Sequence, residues 1–163
     1  MVVSTAGSQA RTHEGWVDAG PFRAHLRHLM AVGSLNVPEV AVVLGLSTSA
    51  VRHLIEGRAG RVPRRISPQT ARRLLQLRAV DVRDLRWCLT PAAAARTSWH
   101  RLRASGWSAA DVATAVGFGL DELATLERAT HCSRLLAVRL VGLARVLPGT
   151  LDDEDLVELA SAA

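Results

Sequence analysis

The chain has 163 residues, of which 48% are hydrophobic and 21% charged, enough apolar content for the cores of two compact units. No apolar run approaches the roughly 20 residues that a membrane span needs, and the N-terminus lacks the apolar stretch of a signal peptide. Cys88 and Cys132 lie far apart without metal-ligand spacing. We therefore expect a cytoplasmic protein with no membrane contact, no disulfide framework and no metal.

Positive charge is concentrated in the first half of the sequence. All 20 basic side chains are arginines, since the chain contains no lysine. Residues 1–78 carry eleven arginines and four acidic residues, a balance of +7, whereas residues 79–163 carry nine and eleven, a balance of −2. A polyanionic partner should prefer the N-terminal half.

Apolar residues recur at helical spacing through most of the chain, which predicts an all-α fold without β-sheet. Residues 1–20 are small and polar and are predicted to be a flexible leader. A first helix is predicted from Pro21 to Val32, with Gly33 at its end.

Residues 37–56, VPEVAVVLGLSTSAVRHLIE, match two short helices joined by a sharp turn. Ala41 is small, as close packing against the second helix requires, and Gly45 tolerates a positive φ. Ser47 is a suitable N-cap for the second helix. Apolar residues occupy the positions that would close the core: Val40, Leu44, Leu46, Val51 and Leu54. The pattern predicts a helix-turn-helix.

A basic loop from Gly57 to Arg65 follows, and Ser67-Pro68 starts another helix that reaches about Arg78. That helix offers Ala71, Leu74, Leu75 and Leu77 to the core. Residues 21–80 would thus form one unit, and residues 81–91 a linker or short helix.

The same plan recurs in residues 92–148. Gly117 stands at the second turn and Ala113 four residues before it, 72 residues after Gly45 and Ala41. Gly106 would correspond to Gly33, and a helix with Ala137, Arg139 and Leu140 to the one with Ala71, Arg72 and Leu74. The predicted core positions are Val112, Val116, Phe118, Leu123 and Leu126. We interpret the two segments as tandem units, followed at residues 149–163 by a short acidic helix capped by Thr150.

The two predicted second helices differ in chemistry. In the first unit the side chains predicted to face outward and read base edges are Ser47, Thr48, Ser49, Arg52 and His53. The arginines predicted to contact phosphates are Arg58, Arg61, Arg64, Arg65, Arg72 and Arg73. A merely solvated arginine face is the alternative interpretation.

In the second unit the outward residues are Gly119, Leu120, Asp121, Ala124 and Thr125, with acidic neighbours that would repel a duplex. We predict that this unit does not bind DNA and instead contacts a second copy of the chain or another protein through Leu120, Asp121 and Thr125. No phosphate-binding loop, nucleophile motif or convergent acid-base set is present in the sequence, so we expect neither an enzyme nor a cofactor.

The strings MAVGSL, VPEVAVVLGLSTSAVRHLIEG, GRVPRR and ISPQTARRLLQL resemble Xre/λ-repressor-like helix-turn-helix proteins of actinobacteria and their phages. GWSAADVATAVGF in the second half is similar in plan. The resemblance implies a transcription regulator that reads double-stranded DNA with Thr48, Ser49, Arg52 and His53. We expect either such a regulator or a nucleoid-associated DNA-binding protein. The alternative is a protein-interaction adaptor of the same fold, such as an antitoxin or a polymerase-binding factor.

Overall fold

The structure, a computed structural model, describes residues 15–147. Helices dominate this range, as the sequence predicts, and none of them is long and apolar enough to cross a membrane. The helices are α1 Ala19–Gly33, α2 Val37–Leu44, α3 Thr48–Glu56, α4 Pro68–Gln76, α5 Ala79–Arg83, α6 Ala93–Ala104, α7 Ala109–Val116, α8 Leu120–Leu126 and α9 Arg134–Ala144. The predicted acidic C-terminal helix and most of the predicted leader lie outside the described residues.

Two short antiparallel strand pairs were not predicted. β1 (Val17–Asp18) pairs with β2 (Arg65–Ile66), and β3 (Leu89–Pro91) pairs with β4 (His131–Ser133). Strands of two or three residues are too short to show an alternating pattern in the sequence. Placing residues 17–20 in a flexible leader was wrong, because they form β1 and the first turn of α1, where the Asp18 carboxylate accepts a hydrogen bond from the Gly20 amide.

The predicted helix-turn-helix segment has the local geometry expected of its residues. Asn36 and Glu39 cap α2 reciprocally, each side chain accepting from the other's amide at 2.9 Å. Gly45 ends α2 in the left-handed conformation, with φ of 62°. Ser47 then caps α3 by accepting from the Ala50 amide at 3.0 Å, so the predicted N-cap is confirmed.

The second half repeats this arrangement. Ser108 and Asp111 form the reciprocal cap of α7, and Gly117 ends that helix with φ of 66°. The turn before each capped helix also matches, because the Leu35 amide donates to the Met30 carbonyl and the Trp107 amide to the Leu102 carbonyl. Gly106 has a positive φ and therefore corresponds to Ser34, which is left-handed as well, rather than to Gly33.

Arginine-carbonyl contacts recur in both halves. Arg23 donates from Nη2 to the Pro63 carbonyl at 2.6 Å, and Arg96 donates from Nη2 to the Ala129 carbonyl at 2.8 Å. Arg73 donates to the carbonyl of Gly45, and Arg139 donates to that of Val116. The counterpart of Arg139 is thus Arg73, not Arg72 as the sequence suggested.

Each half has its own apolar core. In the first half the largest fully buried side chains are Leu26, Leu29, Val40, Val51, Leu74 and Leu85. In the second half they are Leu102, Val112, Val116, Leu123, Leu126 and Leu140. Leu75 was predicted to join the core but is exposed, because it lies on the solvent face of α4 next to the buried Leu74.

Residues 81–91 are not a free linker. Val82 on α5 and Leu85 in the following 3₁₀ turn, Asp84–Arg86, are buried in the first core. Helix α9 also belongs partly to the first core, since Val138 is buried there and Leu135 contacts both clusters. At the α2–α9 crossing a side chain on Gly142 would meet Glu39, and Arg145 Nη1 donates to the Leu46 carbonyl at 3.1 Å.

Candidate nucleic-acid interface

Helix α3 has one buried face and one exposed face. Val51 and Leu54, three residues apart, pack into the first core, as predicted. Arg52 and His53 are exposed, and Ser49 is half-buried. The outward placement predicted for Arg52 and His53 is confirmed.

Thr48 does not face outward, so its prediction as a base-reading residue was wrong. Its side chain is only 8% exposed, and its hydroxyl oxygen is buried without a hydrogen-bond partner among the described residues. Because Cβ atoms tilt toward the N-terminus of a helix, the first residue of α3 covers the preceding turn rather than the solvent. Ser47 is half-buried and its oxygen is occupied by the cap.

A small hairpin follows α3 directly. Gly57 leaves the helix with φ of 82°, and Arg58 and Arg61 then pair as an antiparallel bridge with two backbone hydrogen bonds of 3.0 Å. Ala59 and Gly60 form the tip, both with positive φ, as in a type I′ turn. A side chain at Gly57 would clash with the backbone of Arg61, so this position requires glycine.

Arg23 fixes the position of the loop relative to α3. Its Nε donates to the Leu54 carbonyl near the end of α3 at 2.8 Å, while its Nη2 holds Pro63 in the loop. The Ala19 amide adds a bond to the Arg64 carbonyl at 2.9 Å. Sequence reasoning missed Arg23, because a side chain that bonds distant backbone carbonyls leaves no motif.

Five of the six arginines predicted to contact phosphates are exposed and form no side-chain hydrogen bond or ion pair among the described residues: Arg58, Arg61, Arg64, Arg65 and Arg72. Arg73 differs, because it is half-buried and its guanidinium is bonded to the Gly45 carbonyl. We correct its role to bracing the turn between α2 and α3.

A cleft of about 610 Å³ lies between α3, the hairpin and the start of α4. It brings together the predicted readers Ser49, Arg52 and His53 with Arg58 and Arg65. Arg61, Arg64 and Arg72 do not line it. The other lining residues are Trp16, Ala50, Leu54, Gly57, Pro63, Ile66, Ser67 and Thr70.

The corresponding surface of the second half is acidic. Leu120, Asp121, Ala124 and Thr125 are exposed, as predicted. Glu122 accepts from the Gly119 amide at 3.0 Å, and Glu127 accepts from Trp99 Nε1 at 2.9 Å and pairs with His100 at 3.3 Å. Residues 127–130 lead from α8 to β4 without a hairpin. A duplex placed on this helix would meet carboxylates.

Among residues 15–147 no three His, Cys, Asp or Glu side chains are grouped so that they could hold a metal ion. His25 is instead bonded through Nε2 to the carbonyls of Leu74 and Leu77, at 3.2 and 3.0 Å. Burial raises the pKa of the Cys132 thiol, which disfavours the reactive thiolate.

Comparison with protein-family models, with curated proteins and with solved structures returned no match to this chain.

Proposed function

We propose that this protein is a DNA-binding transcription regulator or nucleoid-associated protein, in which α2 and α3 form a helix-turn-helix and α3 enters the major groove. The proposal rests on the exposed pair Arg52 and His53 on α3, beside a cleft rimmed by arginines that have no acidic partner within residues 15–147. An α-helix with its side chains is about 10–12 Å in diameter, which fits a major groove about 12 Å wide.

The assignment of roles follows from exposure. Arg52 presents the planar fork that bonds O6 and N7 of guanine, and Ser49 and His53 supply further hydrogen-bonding groups. The five exposed arginines on the loop and α4 would contact phosphates and fix the register of α3 on the duplex.

The second half is proposed as a tandem helix-turn-helix unit that binds no DNA. Its capped α7, its left-handed Gly117 and the Arg139 contact support the shared plan, and the carboxylates of α8 argue against groove entry. Leu120 is 52% exposed at the start of α8 and supports a contact with a second copy of the chain or another protein. A protein-interaction adaptor is therefore the second candidate function.

Binding of fluorescent duplexes to the full chain tests the proposal, first with a random-sequence library and then with the duplex that it enriches. Arg52→Ala should weaken binding to that duplex by about 1–3 kcal/mol and relax its sequence preference. Arg64→Ala should weaken binding to all duplexes evenly. If all five loop and α4 arginines reach phosphates, the log-log dependence of affinity on salt should have a slope of about −4.5.

Arg128→Ala is the matched control, since Arg128 is an exposed arginine of the second half, next to Glu127. It should leave affinity and salt slope unchanged. Failure of the wild-type chain to bind any duplex in dilute buffer would refute the proposal and leave the adaptor.

A further inference from the structure

The hairpin at residues 57–61 is present in only one of the two matching segments. The connection from α3 to β2 covers residues 57–64, whereas the equivalent connection from α8 to β4 covers residues 127–130. The flanking contacts match nevertheless, because Arg23 holds Pro63 as Arg96 holds Ala129. The helix arrangement that the two halves share therefore does not require the hairpin, which is an additional feature of the cationic half.

The hairpin places like charges side by side. Arg58 and Arg61 are directly opposite each other in the antiparallel bridge. Residues in such a pair project from the same face at close range, and like charges in this position are destabilising. No acidic side chain compensates either guanidinium among the described residues. An anionic surface between or beneath them would remove that repulsion.

The tip is narrow and its backbone is fixed. Ala59 and Gly60 carry almost no side chain, and an added Cβ on Gly60 would meet nothing within 4 Å. Ala59 holds the left-handed conformation that non-glycine residues rarely adopt, because both backbone bonds of the bridge are made. The hairpin is thus a thin, preorganised projection that carries one arginine on each of its two strands, both on the same face.

The chain order sets where this projection lies on DNA. In the proposed docking α3 lies in the major groove, and the hairpin begins at the residue that follows the end of α3, so the hairpin lies beside the wall of that groove. The element next to that wall is the minor groove, about 6 Å wide, which excludes helices but admits arginine side chains.

We infer that the Arg58–Arg61 hairpin does more than contact phosphates: it is a second reading element that inserts arginine into the minor groove next to the α3 site and favours A·T base pairs there. The inference rests on the proposed function. A narrow A·T-rich minor groove attracts arginine electrostatically, while the guanine 2-amino group obstructs it.

Inosine-cytosine pairs test this directly, because they lack the 2-amino group but keep the major-groove acceptors of guanine. The enriched duplex is made with flanks of A·T, G·C or I·C pairs, and its affinity for the full chain is measured by fluorescence anisotropy. We expect A·T and I·C flanks to bind alike and about tenfold more tightly than G·C flanks.

The double variant Arg58→Ala/Arg61→Ala should bind the duplexes with A·T, G·C and I·C flanks with equal affinity. It should still recognise the central sequence. Arg128→Ala should keep the wild-type preference. Circular dichroism checks the fold of each variant, and the wild-type I·C comparison stands even if a variant is unstable.

The inference would be overturned if the wild-type chain bound all three duplexes with equal affinity, or if duplexes with I·C flanks bound like those with G·C flanks. It would also be overturned if a folded double variant kept the wild-type flank preference. These results leave the proposed function standing, because the enriched central sequence is still bound. Absence of binding to every duplex refutes the proposed function itself.

Discussion

The two halves of the chain share a frame but differ in surface chemistry. Both use a capped helix, a left-handed glycine and an arginine that braces the turn, as Gly45 with Arg73 and Gly117 with Arg139 show. Where α3 exposes Arg52 and His53, the matching positions of α8 expose Ala124 and Thr125, with Asp121 nearby. Local backbone requirements thus fix the arrangement of the helices, while the solvent-facing side of the second helix is free to differ between the halves.

Truncation of matched core residues should have the largest effect. Leu74 and Leu140 are each 0% exposed at equivalent places on α4 and α9. Leu74→Ala and Leu140→Ala should each lower the free energy of unfolding by about 3 kcal/mol, through lost burial and a residual cavity. Urea denaturation followed by circular dichroism measures this.

Leu75→Ala is the control, because Leu75 is 65% exposed and its loss should change stability little. Since α9 packs in both cores, each variant should still unfold in one transition. Two separated transitions, only one of which moves in each variant, would show that the halves fold independently.

Removal of the loop-anchoring arginines, Arg23 and Arg96, should have an intermediate effect on stability. DNA affinity should change in only one of the two variants. Arg23→Met and Arg96→Met each lose charged hydrogen bonds to backbone carbonyls, which should lower the free energy of unfolding by about 2 kcal/mol. Only Arg23→Met should also weaken DNA binding, because Arg23 fixes the hairpin loop against α3. Equal DNA affinity of the two variants would contradict a role for that anchor.

The smallest effect is expected from the cap of α7 and depends on pH. Hydrogen bonds from the hydroxyl and amide of Ser108 hold the pKa of the Asp111 carboxyl below its usual value. A depressed pKa in the folded state means that this stabilisation is present above the unfolded pKa, about 3.9, and is lost as the pH falls through the folded value. Asp111→Ala should thus lower the melting temperature slightly at pH 7.

At acidic pH the difference between Asp111→Ala and wild type should shrink toward zero. Asp121→Ala is the comparison variant, since Asp121 is exposed at the start of α8 and forms no side-chain hydrogen bond among the described residues. A difference at Asp111 that stays constant from pH 7 to pH 2 would contradict the cap as its source.

Much of the local structure could be predicted from the sequence because it depends on short-range rules. Gly45, Ser47 and the 72-residue repeat of small and apolar positions identify the helix pairs. The strand pairs and the Arg23 anchor could not be predicted, since they depend on residues that meet only after folding.

For the candidate site, exposure on α3 was predicted correctly at Arg52 and His53 and wrongly at Thr48. A helical wheel gives the angle of a side chain but not its tilt along the axis, which buries the first residue of α3. Arg73 was misassigned for a related reason. Its positive charge suits a phosphate contact, and only the fold shows that its guanidinium donates to the Gly45 carbonyl instead.

The placement of α9 has a practical consequence for dissecting this molecule. Val138 completes a core whose other buried members all come before residue 86. A fragment that stops after the basic half would therefore expose the apolar surface that α9 covers in the full chain. Such a fragment should associate or aggregate rather than fold as an independent domain. Any shortened form of the chain made for crystallisation or for binding experiments should keep α9, or be combined with a separate peptide that supplies this helix.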